Sequence, residues 1–239
     1  MESLTPLKQP IAIRAEHVAP STTTIRVKQH SASWSSSNFT ITAQPTPATP
    51  EPAKLFAVDG DFASWSQRRR FCDASGLPLF EISRKDLGVT YYLHLPGEGK
   101  RRQGGSTSTS SKKEEESERI ATIVPKYSAL KDKFDVHFRN AAADGEETVL
   151  EVRGQNIWKS KTHVYHRGHL VMVVRLTDMV SVYIPGKRPS WEVVVAGGMD
   201  LSLASVLAVL LAMMLYSSSG KGTAPASNPG PMVDSTAKG

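Results

Sequence analysis

Residues 201–216 read Leu-Ser-Leu-Ala-Ser-Val-Leu-Ala-Val-Leu-Leu-Ala-Met-Met-Leu-Tyr, a long apolar run free of β-breaking residues. Leu, Ala and Met are strong helix formers, so the stretch is expected to be helical. Asp200 or Ser202 can cap its start, and Ser217-Ser218-Ser219-Gly220 is expected to end it. Two readings compete. A membrane span needs about 20 apolar residues, and this stretch is nearer the length of a buried core helix. Upstream lie Asp200 and the Gly197-Gly198 pair, poor material for a span, and Lys221 is the nearest cation downstream. Topology signals therefore do not flank the run. A tail anchor is the competing expectation, and burial within the chain's own domain is the favoured one. A helix apolar on every face must be surrounded on every face.

The rest of the chain supplies a candidate enclosure. Ile25 and Val27 alternate with Arg26 and Lys28, and Phe39, Ile41 and Ala43 with Thr40 and Thr42. Phe56 and Val58 follow, then an Asp59-Gly60 turn signal. Further β-type runs are 79–82, 91–95, 134–138, 149–152, 170–176, 180–184 and 191–196. Alternation of period two with β-branched enrichment is the strand signature. Turn chemistry separates the runs at Asp73-Ala74-Ser75-Gly76, Pro96-Gly97, Ala143-Asp144-Gly145 and Ile184-Pro185-Gly186. Many short strands favour a sandwich or barrel, and only a closed barrel with a helix along its axis covers that helix all round. The expected fold is mainly β, a closed antiparallel β-barrel enclosing the C-terminal helix.

Composition sets the remaining bounds. The chain has 239 residues, long enough for one substantial core, with a formal charge of +6 and a pI near 9.4. Its Lys and Arg are spread and interleaved with acids, which argues against a dedicated nucleic-acid surface. The single cysteine, Cys72, excludes an intrachain disulfide framework, and a reducing, intracellular and cytoplasmic setting follows as the expectation. Residues 1–9 carry no apolar signal region and are expected to be flexible. The Pro-rich stretch 44–52 reads as an extended surface loop. The run 97–119, with its Gly/Ser/Thr tract and Lys112-Lys113-Glu114-Glu115-Glu116, reads as a disordered insertion, and 217–239 as a disordered tail. One domain, 10–216, remains.

The order of residues then resembles a known family. The strand-like Asn38-Phe39-Thr40-Ile41 is followed by Phe56-Ala57-Val58-Asp59-Gly60. Next come Phe71-Cys72-Asp73-Ala74-Ser75-Gly76-Leu77-Pro78-Leu79, leading into Ile82-Ser83-Arg84-Lys85, and finally Val195-Ala196-Gly197-Gly198-Met199-Asp200. On these motifs the chain resembles the LURP-one-related family. That fold is similar to the C-terminal domain of tubby proteins and is shared with phospholipid scramblases. The resemblance implies about twelve strands wrapped around a hydrophobic C-terminal helix. The 97–119 insertion and the Pro-rich loop are departures from compact members. Tubby domains bind phosphoinositides through surface Lys and Arg, but no motif here maps that pocket residue by residue.

The densest basic cluster is Arg68, Arg69, Arg70, Arg84 and Lys85, a candidate site for an anionic headgroup or phosphate. Against it, consecutive arginines on a strand alternate between faces. Lys159, Lys161 and Arg167 form a looser patch. His163, His166 and His169 invite a metal reading, but on a strand residue 166 points away from the other two, so a loop with surface histidines is expected and no metal site. Cys72 has no base nearby in sequence, and the Asp73 carboxylate would raise its pKa, so it is expected to be structural. Trp34, Trp65, Trp158 and Trp191 are expected at the barrel rim or in the core. No cofactor or catalytic motif appears. The expectation is a monomeric, non-catalytic binding or scaffold domain without a cofactor, its partner an anionic lipid such as a phosphoinositide or a protein. Peripheral membrane association would then accompany a cytoplasmic location. Tail-anchored membrane protein and scramblase-like lipid handling are the alternatives.

Overall fold

Period-two alternation places apolar side chains on one face of strand after strand. In β1 (Thr23–Gln29), Ile25 and Val27 are buried while Arg26 and Lys28 are exposed. In β8 (Lys133–Asn140), Phe134, Val136 and Phe138 are buried between polar neighbours. The computed structural model describes residues 4–30, 38–45, 50–60, 68–84, 89–96, 119–126, 133–156, 160–178 and 188–219, the last five as backbone alone. The other strands are β2 (Phe39–Ala43), β3 (Lys54–Gly60), β4 (Arg69–Asp73), β5 (Pro78–Arg84), β6 (Tyr91–His94) and β7 (Arg119–Pro125). They are followed by β9 (Glu146–Gly154), β10 (Lys161–His166), β11 (His169–Leu176) and β12 (Ser190–Val195).

Each strand pairs antiparallel with its sequence neighbours, and β12 returns to β1 to close a twelve-stranded barrel. Closure removes every sheet edge. Val27 faces both Trp191 of β12 and Ile41 of β2, so one register carries the inner apolar layer across the seam.

The apolar run forms α1 (Leu201–Ser219), about 28 Å long. Every side chain from Ser202 to Met213 is buried, and the apolar ones among them share one hydrophobic cluster with the inward side chains of the barrel. The helix is therefore the core of the barrel. Among the described residues no helix is long and apolar enough to cross a membrane. The helix continues three residues past the expected stop at Tyr216.

Asp200 anchors the helix start. Its Oδ1 accepts from the Ser202 amide (2.7 Å), the Ser202 hydroxyl (2.6 Å) and the Leu203 amide (3.3 Å). Its Oδ2 accepts from the amides of Ile13 (3.1 Å) and Arg14 (2.9 Å), so one carboxylate binds helix and N-terminal segment together. That segment closes the barrel mouth. Thr5 donates to Leu170 O, Leu7 to Gly197 O and Ile11 to Gly198 O, the first two from within the stretch expected to be flexible. Asn140 Oδ1 accepts from Ala12, and its Nδ2 donates to Pro10 O. Gly198 has φ +91°, and a Cβ there would lie 2.9 Å from Leu7 Cβ, which is why the helix entry needs glycine.

Three strands differ from the sequence expectation. β4 begins in the arginine run, β7 takes up Arg119 from the end of the charged insertion, and β10 carries His163 and His166, which were expected in a loop with His169, now the first residue of β11. β10 and β11 are joined through Arg167 and Gly168, both with positive φ (49° and 80°), the geometry of a tight two-residue hairpin turn. The 180–184 run, the 97–118 part of the insertion and the tail from 220 lie outside the described residues.

Candidate anionic-ligand surface

β4 and β5 position the arginines of the sequence-derived cluster, and they separate them. Arg69 pairs with Gly60 and Ile82 and points into the barrel, where it is 1% exposed. Desolvation depresses its pKa, an effect opposed by Tyr91, yet a guanidinium remains charged. Arg84 and Tyr91 are register partners on the same inner face, and burial raises the Tyr91 pKa against the pull of both arginines. Arg68 and Arg70 instead converge on the Glu81 carboxylate, at 3.6 and 3.7 Å. Glu81 is 3% exposed, so these two cations compensate a buried charge. Asp59 faces Arg70 from β3. Lys85 lies outside the described residues.

The antiparallel order sorts charge between the two rims. The rim toward which α1 runs collects Lys28, Arg68, Arg69, Arg70, Arg84, Lys126, Lys133, Arg153, Lys161, Arg175 and Arg188 within two residues of strand ends. Asp59, Asp135, Asp178 and Glu192 are the described carboxylates of that rim. At the rim where α1 begins, Lys54, Arg119, Arg139 and Arg167 are matched by Asp73, Asp144, Glu146 and Glu147. Arg167 there donates to Glu146 at 2.8 Å. Among the described residues, cations thus outnumber carboxylates at the rim toward which α1 runs, even with Arg69 turned inward, Arg68 and Arg70 on Glu81 and Arg153 on Glu151, and the opposite rim is balanced. Arg26 and Lys28 were missed in the sequence as site residues. Their signal was their exposed alternation with Ile25 and Val27, which was read only as a strand pattern.

The remaining sequence candidates are dispersed. Lys161 and Arg167 stand at opposite ends of β10, about 20 Å apart along the strand, so they form no common patch; Lys159 is outside the described residues. His163 is buried on β10 with its Nδ1 3.0 Å from Tyr165 Oη. His166 faces His169 across the hairpin, and burial lowers its pKa. No three metal-ligating side chains converge among the described residues. Cys72 is buried, and desolvation first, then Asp59, raises its pKa. Trp191 is 2% exposed in the core; Trp34, Trp65 and Trp158 lie outside the described residues.

With this geometry in place, comparison with known proteins gives two findings. A family model described as LURP-one-related matches residues 23–212. The chain is also similar to the X-ray structure of a protein from Arabidopsis thaliana, AT5G01750. The TM-score is 0.51 at 17% identity, covering 86% of this chain and 98% of that one, a likeness of fold alone. None of the curated proteins matches the chain.

Proposed function

The chain belongs to the LURP-one-related family, and from that premise we propose that it is a non-catalytic binding module for anionic phospholipid headgroups. The observation that carries this reading is the charge sorting between the rims among the described residues, with an excess of cations at the end where α1 finishes and a balance at the other. The barrel lumen is filled by α1, so ligand recognition falls to the outer surface. Clustered surface cations attract anionic membranes at about 1 kcal/mol per Lys or Arg, and the attraction decays within a Debye length. The protein would associate peripherally with the cytoplasmic leaflet, where anionic lipids concentrate.

Sedimentation with phosphatidylcholine vesicles, with and without phosphatidylserine or phosphoinositide, tests the proposal. Binding to the anionic vesicles alone, weakening as salt rises, is the expected result. Equal partitioning onto neutral and anionic vesicles, or none onto either, contradicts it.

A further inference from the structure

The binding surface itself can be assigned, resting on the lipid reading above. The arginines of β4 are poor candidates for first contact. Arg69 faces the core, and an anion reaching Arg68 or Arg70 competes with Glu81, a carboxylate that those two cations already compensate. The wall formed by β1, β12, β11 and β10 is different.

On that wall the register sets one row straight across adjacent strands. Thr42 faces Arg26, Arg26 faces Glu192, Glu192 faces Arg175, and Arg175 faces Lys161. Neighbouring strands are about 4.8 Å apart, so Arg26 and Lys161 span about 15 Å. The next outward row places Lys28 between Thr40 and Ser190. Arg188 donates to His30 O at 3.0 Å beside it. Thr177 and Ser190 bring their hydroxyls within 2.6 Å of each other along the same edge. Glu192 is the one described carboxylate in these two rows, and it is held by Arg175 (3.7 Å) and Gln44 (3.3 Å), on the side away from Lys28. Asp178 lies beyond them at the strand end.

Cations spaced at 5–15 Å with hydroxyls between them match phosphate chemistry, in which guanidinium and hydroxyl groups donate and ammonium groups supply charge. Among the described residues the two rows contain no outward Trp, Tyr, Phe or large aliphatic side chain that would anchor a protein partner, and the His30 ring at their edge is tied to the Thr40 hydroxyl at 2.7 Å. We infer that the β1–β12–β11–β10 wall is the face that docks on an anionic membrane, with Arg26 and Lys28 as its leading contacts. Both are exposed, and neither makes an ion pair with a described residue.

The test uses the full chain and vesicles of phosphatidylcholine with phosphatidylserine. Neutralising both leading cations, Arg26→Gln with Lys28→Gln, should weaken partitioning about thirtyfold. The control, Lys54→Gln with Arg139→Gln at the opposite rim, should change it less than threefold. Circular dichroism and melting must match wild type for both double variants, as expected of exposed strand positions. Wild-type binding retained by the Arg26/Lys28 variant overturns the assignment while leaving the lipid reading intact. Failure of the wild-type chain to prefer anionic vesicles overturns the lipid reading and this surface with it. Loss of binding to a duplex RNA, with vesicle binding unchanged in the same variant, overturns the membrane as occupant of this wall.

Discussion

Replacing Leu207 by alanine removes side-chain volume from the middle of α1, at a position with 0% exposure and neighbours buried on both sides along the chain. Leu→Ala changes in cores cost about 3–5 kcal/mol, depending on how far the surroundings collapse into the space. Here collapse is restricted. The wall around the helix is a closed ring of twelve hydrogen-bonded strands, and no edge can move inward without breaking a ladder. The cost should therefore fall in the upper half of that range, about 4 kcal/mol. Urea unfolding in detergent-free buffer, followed by tryptophan fluorescence, measures it. With an m-value of about 2 kcal/mol/M, the midpoint should drop by about 2 M. A drop of less than about 0.3 M would refute the reasoning, because a helix merely appended to the barrel could lose Leu207 without loosening the wall.

Other perturbations probe the barrel mouth and the helix cap. Gly198→Ala combines a positive φ with a 2.9 Å approach to Leu7 Cβ, so it should cost about 2 kcal/mol and lower the melting temperature by about 6 °C. Asp200→Asn withdraws an acceptor from the Ile13 and Arg14 amides and should cost about 3 kcal/mol by denaturant titration. Burial raises the Asp200 pKa above its ordinary value even against its hydrogen bonds, so the folded state holds that proton more tightly than the unfolded chain. Its contribution is then fully present below the ordinary carboxylate pKa, about 4, and is lost as pH rises through the folded value. The stability gap between wild type and Asp200→Asn should accordingly narrow as pH rises through that window. Ending the chain before Asp200 should leave insoluble or unfolded protein in detergent-free expression, where a tail-anchor account expects a folded soluble domain.

The fold was legible where apolar periodicity was strong. Leu201–Tyr216 demanded an enclosure, and the alternation in 23–29 and 133–140 supplied walls for one. It failed where charge occupied strand positions. Arg69-Arg70-Phe71-Cys72-Asp73 carries too much charge to stand out as a β-type run, and the alternation expected of consecutive arginines is what turns Arg69 inward beside Ile82. In β10, histidines masked the β-forming Thr162, Val164 and Tyr165, and the Arg167-Gly168 turn lacks the Asn-Gly signature that usually marks such hairpins. α1 outran its serine stop because serine is only mildly unfavourable in a helix. The candidate site was less legible, since charge balance is a cross-strand property. Arg68 and Arg70 meet Glu81 through strand pairing, and the Arg26–Glu192–Arg175–Lys161 row joins residues separated by more than a hundred positions.

Hydrogen exchange on the intact chain tests most directly whether α1 is the core around which the barrel closes. Amides from Leu203 to Met213 should be among the slowest in the protein, exchanging only through global unfolding together with the β1–β12 seam. Exchange of those amides at rates faster than the seam, as from a helix that frays or detaches while the barrel stays folded, would contradict the account.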